Sequence, residues 1–266
     1  MKFALLLIAP IFAAIPPTAF AQRGERGAPP GPPPTARQQA PFDLTGYWVS
    51  IVTEDWRWRM VTPAKGDYAS VPLNDEGRKT ADSWDLAKDK ANGIECKAFG
   101  AAAIMRMPTR LQITWQDDNT LKIETDAGQQ TRLFHFGSIT VATGERQGQG
   151  LSKATWFKQT QSTGLGFGFP EGGRGGFAGG NLKVVTTNMP AGYLRKNGVP
   201  YSENAVLTEY FNRHHEPDGF EWFTVTTIVD DLRYLTMPFI TSSSFRKEPD
   251  GSKWHPTSCE IDPPRN

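Results

Sequence analysis

Cysteine, histidine and net charge are all scarce in this chain of 266 residues, and each shortage removes a class of function. With 29 basic against 28 acidic residues the formal net charge is +1, and the surplus arginines lie mostly in the N-terminal segment. A nucleic-acid surface needs clustered Lys and Arg to displace condensed counterions, and no such cluster is visible. No nucleic-acid partner is expected. The 4 histidines are His135, His214, His215 and His255. His214 and His215 are adjacent, so on an extended chain they point to opposite faces and cannot share a metal without distortion. G-x-S-x-G, H-E-x-x-H and C-x-x-C are all missing, which leaves serine-hydrolase, zincin and thiol-redox chemistry without a signature. Gly164-x-Gly166-x-Gly168 lacks the strand-to-helix setting that aims backbone N–H groups at a phosphate. Neither a metal nor a cofactor is expected.

Long apolar runs are also missing, with one exception at the start. Lys2, the run Ala4 to Ile15 and Ala19-Phe20-Ala21 resemble a secretory leader with a small-x-small cleavage site, over residues 1–21. That run is shorter than the roughly 20 apolar residues that span a bilayer, so no membrane span is expected. Residues 22–41, QRGERGAPPGPPPTARQQAP, hold no apolar side chain larger than alanine and are expected to be a disordered tether. The remainder, 42–266, is expected to fold as a single domain in the periplasm. The only cysteines, Cys96 and Cys259, form an even count in an oxidising compartment and are expected to pair. The chain-entropy estimate for so long a loop is roughly 5 kcal/mol.

What is abundant is period-2 alternation. Leu111, Ile113 and Trp115 share one face and Gln112, Thr114 and Gln116 the other; after Asp117-Asp118-Asn119, Leu121 and Ile123 alternate with Lys122 and Glu124. Gln129 to Phe136 continues the meander. Further strands are expected at 44–52, 56–61, 153–158, 182–188, 205–213, 220–229 and 234–245. A single helix is expected from the N-cap Asn74 to about Lys90. One helix among so many strands predicts a mainly β chain: a single antiparallel barrel or strongly curved sheet, lipocalin-like, with a Gly-rich insertion at 161–181.

Two resemblances support that architecture. Phe42-Asp43-Leu44-Thr45-Gly46-Tyr47-Trp48 resembles the G-x-W opening of lipocalin-type barrels. The chain is also similar to a large group of exported bacterial β-rich proteins, through DLTGYW at 43–48, Cys96, Gly180 to Thr187, Ser202-Glu203, Thr208 to Phe211, Asp230-Asp231, Pro238-Phe239 and Cys259. This resemblance implies export, one domain and the disulfide, and it brings no activity with it.

Candidate chemistry follows from misplaced polar residues. Glu209 shares a strand face with Leu207 and Phe211; if that face is the core, its carboxylate needs a cationic partner or a proton. Arg132 shares a face with Phe134 and Phe136 and is a possible partner, and His135 sits within Leu133-Phe134-His135-Phe136. In the stretch EDWRWRM, read as a strand, Arg57 and Arg59 lie opposite Trp56 and Trp58, so the inward face is either arginine, able to pair with Glu209, or a tryptophan clamp, unless the strand is a surface ladder of Arg stacked on Trp. Tyr68, Trp156, Tyr193 and Tyr210 are candidate aromatic walls, with Arg195 and Lys196 on a breaker-rich loop at the rim. This inventory suits a cofactor-independent acid–base lyase or isomerase, one of retro-aldol type included, acting on a hydrophobic aromatic small molecule. Glu209 or His135 would be the base, and Arg57, Arg59 or Arg132 the oxyanion partner. A non-catalytic carrier of such a ligand, or an envelope interaction protein, uses the same residues differently.

Overall fold

Alternating strands close into a nine-strand barrel in the computed structural model, which describes residues 31–138, 146, 148–158, 180–215, 217 and 219–264. The expected leader, residues 22–30 of the tether and nearly all of the Gly-rich stretch lie outside the described residues. The strands are β1 (Gly46–Ile51), β2 (Arg110–Asp117), β3 (Thr120–Thr125), β4 (Thr131–Phe136), β5 (Leu151–Lys158), β6 (Gly180–Thr187), β9 (Val206–His215), β10 (Glu221–Asp230) and β11 (Phe239–Glu248). Between β6 and β9, the short β7 (Gly192–Tyr193) and β8 (Pro200–Tyr201) pair with each other outside the barrel. Around the barrel the order is β1-β11-β10-β9-β6-β5-β4-β3-β2. Every neighbouring pair is antiparallel except β4 and β5, which run parallel through Phe134, His135 and Phe136.

The alternation decides what fills the barrel. Trp48, Leu111, Ile113, Leu121, Ile123, Phe134, Leu182, Val184, Phe211, Phe223, Val225 and Phe245 are fully or almost fully buried and form one cluster. Each large side chain removed from water this way contributes roughly 1.5–3 kcal/mol. Trp48 of the G-x-W opening packs edge-on against Phe223 at 4.7 Å and donates its indole N–H to the Leu44 carbonyl. Gly46 begins β1 at φ +118°, a conformation that favours glycine.

A second apolar cluster covers one barrel end. It joins Leu207, Val229 and Phe239, from the same end of β9, β10 and β11, to Tyr68, Val71, Leu73, Ala81, Ala101, Ala102, Met189, Leu194, Val199 and Tyr201. The covering elements are α2 (Trp56–Arg59), α3 (Asp75–Asp82), α4 (Leu86–Ala91), a 3-10 turn at Glu95–Phe99 and α5 (Ala101–Ile104). The Cys96–Cys259 disulfide ties this cap to the C-terminal segment. No helix among the described residues is long and apolar enough to cross a membrane.

Three local expectations need correction. The single helix from Asn74 is two: Asn74 caps α3 by accepting from the Gly77 N–H, and Asp85 starts α4 afresh by accepting from Ala87 and Lys88. Residues 56–61 are not a strand; Trp56–Arg59 is a helical turn. The end of the expected tether is ordered. Thr35 and Gln38 form a capping box on α1 (Ala36–Gln39), Arg37 N–H donates to the Asp118 carbonyl, and Trp156 donates its indole N–H to the Ala36 carbonyl. Backbone hydrogen bonds hold this segment where apolar burial could not.

Candidate functional site

The inward face of β9 is Leu207, Glu209 and Phe211, so the carboxylate enters the barrel, and Arg132 enters from β4 to meet it. The pair is bidentate: the two terminal guanidinium nitrogens donate to Oε1 at 2.9 Å and Oε2 at 2.6 Å. Both side chains are 0% exposed. Arg132 also donates to Thr186 Oγ1 at 3.3 Å, and that hydroxyl lies 2.7 Å from the Ser152 hydroxyl. The Arg132 guanidinium stacks over the Phe134 ring at 4.9 Å. A charge pair this deep survives only when geometry and further hydrogen bonds offset desolvation. Here both carboxylate oxygens and both terminal guanidinium nitrogens are occupied, while Arg132 Nε has no hydrogen-bond partner among the described residues.

His135 does not join them. It alternates with Phe134 and Phe136 on the outer side of β4, where its Nδ1 lies 3.5 Å from Thr120 Oγ1. Tyr210 is likewise on the outer face, beneath the Lys183 ammonium at 5.6 Å.

The EDWRWRM stretch leaves both of its expected faces behind. A helical turn sets Trp58 and Arg59 side by side toward the protein and leaves Trp56 65% exposed. Arg59 is buried, donating to the Arg106 carbonyl, Ser50 Oγ and the Glu54 carboxylate. Arg57 pairs with Asp67 at 2.6 Å on the surface. Neither reaches Glu209. Burial lowers the basicity of Arg59, opposed by Glu54. Tyr68 is a cap residue whose hydroxyl donates to Asp82; burial raises its pKa to about 12.

Trp156 and Tyr193 face two different cavities. Trp156 borders a groove of about 500 Å³ at the opposite barrel end, with Phe136, Lys153, Asn119 and α1. Its ring is already stacked on Phe136 at 5.1 Å and met by Phe42 at 5.4 Å, so little aromatic face remains for a ligand.

Tyr193 lines a cleft of about 250 Å³ between α3–α4 and the β7–β8 hairpin, together with Trp84, Tyr201 and Tyr234. Lys88, Lys97, the α4 cap Asp85 and the buried Asp89 share this lining. Asp89 accepts from the Trp84 indole at 3.0 Å and from the Tyr193 hydroxyl at 3.3 Å, and Lys97 sits over the Tyr193 ring at 5.7 Å. Burial and the Asp89 charge both push the Tyr193 phenol well above its ordinary pKa. Burial raises Tyr201 to about 12. Both phenols are therefore neutral donors near pH 7.

Glycines shape this cleft. A Cβ on Gly198, at φ +79°, would lie 2.1 Å from Trp84 Cγ, and one on Gly100 or Gly192 would strike the Tyr201 hydroxyl at 2.4 or 2.5 Å. Sequence reasoning singled out Tyr193 and missed Trp84, Asp89, Lys97 and Tyr201. The available signal was the concentration of glycine around aromatic residues in AGYLRKNGVPY. Among the described residues, no group of three or more His, Cys, Asp or Glu side chains is placed to hold a metal. Compared with known protein families and with curated proteins, the chain shows no match.

Proposed function

We propose that this chain is an exported binding protein for a small anionic aromatic molecule, held in the Trp84–Tyr193–Tyr201–Tyr234 cleft. The observation that carries the reading is the coincidence, in one cavity, of four aromatic side chains with two lysines and two carboxylates, Asp85 and Asp89, that already accept hydrogen bonds from the protein. Planar walls favour a ring, and Lys88 and Lys97 favour a carboxylate or phenolate on it. The volume suits a single substituted ring. Asp89 orients Trp84 and Tyr193 rather than the ligand.

The acid–base lyase suggested by the sequence draws less support. Glu209 would have to release Arg132 before it could take a proton, and neither residue lines the cleft or the groove. The pair is better suited to fixing the barrel. Export to the periplasm is supported by the leader-like start and by the disulfide, which persists in oxidising compartments.

Titrating the purified protein with a panel of monocyclic aromatic acids, followed by Trp fluorescence and calorimetry, tests the proposal. Saturable binding is expected, weakened roughly 5- to 30-fold by Tyr193→Ala and by Lys97→Ala, in keeping with contacts of about 1–2 kcal/mol. Binding that neither substitution affects, or no saturable binding across the panel, would sink it.

A further inference from the structure

Beside α2, three arginines meet around a space no larger than one water. Its lining is Trp58, Arg59, Ala103, Arg106, Met107, Leu194, Arg195 and Lys196, with a volume of about 10 Å³. Arg195 is 3% exposed. Its guanidinium lies over the Trp58 ring at 4.7 Å and the Phe239 ring at 5.9 Å. Among the described residues none of its three nitrogens has a hydrogen-bond partner, and one terminal nitrogen of Arg106 is equally without one.

The neighbouring charges do not supply that partner. Arg59 is matched by Glu54, Arg106 by Asp55 at 3.0 Å and Arg57 by Asp67 at 2.6 Å. Asp55 and Asp67 act on Arg195 only through space. Among the described residues Arg195 is thus the arginine of this cluster left without a carboxylate, while the half-buried Lys196 in the same lining feels Asp262 only through space. An unpaired buried guanidinium is costly, and five N–H donors facing no acceptor add to the cost. Burial and the nearby Arg106 lower its pKa to about 10, which still leaves it charged at neutral pH.

We propose that the Arg195–Arg106 pocket binds one small monovalent anion, halide-sized or the end of a carboxylate, which completes the charge balance of the barrel cap. The cavity admits a single anionic atom. Trp58 and Phe239 pack against the Arg195 guanidinium, whose nitrogens have no other acceptor among the described residues, and the Arg106 nitrogen without a partner supplies a second donor. This site lies apart from the aromatic cleft and does not depend on the reading given to that cleft.

The test uses the mature protein at constant ionic strength, with bromide or formate replacing gluconate up to about 100 mM. Selective binding to the folded state is expected to raise Tm by roughly 2–4 °C. Arg195→Met should abolish the rise. An effect of bromide alone assigns a free halide, and one of formate alone assigns a carboxylate. Crystals of wild type grown in bromide should show an anomalous peak within hydrogen-bond distance of Arg195 and Arg106, an arm that stands even where the variant does not fold. Equal Tm shifts in wild type and Arg195→Met, no shift with either anion, or peaks confined to surface lysines would overturn the proposal.

Discussion

Replacing Glu209 by Gln separates a structural ion pair from a catalytic base. Glu209 accepts two hydrogen bonds from Arg132, at 2.9 and 2.6 Å, and both residues are 0% exposed, so solvent does not screen them. A hydrogen bond to a charged group is worth about 1.5–3 kcal/mol. Gln restores one acceptor but turns its NH₂ toward the second guanidinium nitrogen, donor against donor, and it leaves the Arg132 charge buried and unopposed. Breaking such a pair costs about 3–5 kcal/mol. Against a total stability of roughly 5–15 kcal/mol, that is a large fraction. Urea unfolding followed by far-UV circular dichroism at pH 7 measures it. The double variant Arg132→Met/Glu209→Leu should recover most of the loss, because an apolar pair pays no desolvation penalty. A Glu209→Gln protein within about 1 kcal/mol of wild type would refute the reasoning. It would mean that the pair contributes little to the fold, and would return Glu209 to the list of catalytic candidates.

Two further predictions rest on the cap. Gly198→Ala forces a Cβ into Trp84 at a positive φ. It should cost roughly 2–4 kcal/mol in urea unfolding and weaken ligand binding in the cleft, whereas an alanine at the open Gly66 position should leave binding unchanged. Tyr68 and Tyr201 have folded pKa values raised from 10 to about 12. Their contribution to stability is therefore fully present below pH 10 and is lost as pH rises through 12. Phenolate absorbance should show both ionising only as the protein unfolds, and Tyr201→Phe should make the alkaline transition less steep; ordinary titration of all tyrosines near pH 10 in the folded protein would contradict this.

The barrel was legible because alternation over six or more residues has one physical solution, a strand with one wet face. Strands β2, β3, β9 and β10 follow that pattern, and Glu209 and Arg132 stood out because each is a charge in the apolar half of it. Their pairing was legible only as one of several, because Arg57 and Arg59 were equally eligible partners of Glu209 until the cap took them to Asp67 and Glu54. His135 misled for a related reason. It is flanked by apolar residues on both sides, yet the alternation that buries Phe134 and Phe136 sends it outward.

The cap was not legible, and EDWRWRM shows why. Over four residues a period of two and a single helical turn produce the same sequence, and only their surroundings distinguish them. The strand reading made Trp58 and Arg59 opposites, whereas successive residues in a helix are separated by only about 100°, so both can face the protein. The distinguishing signals were present: acidic Glu54-Asp55 just before the turn and Pro63 soon after it are marks of a short helix. Asp55 adopts φ +52° there and directs its carboxylate to Arg106, 51 residues away. No local pattern announces such a contact. It follows from closing a barrel end with irregular chain, where each buried backbone and side-chain group must find its partner among residues distant in sequence. The same logic explains why Arg195 is informative: in a cap where Arg57, Arg59 and Arg106 each found a carboxylate, it is the one buried guanidinium among the described residues with no acceptor on any nitrogen, and the proposed anion would supply it.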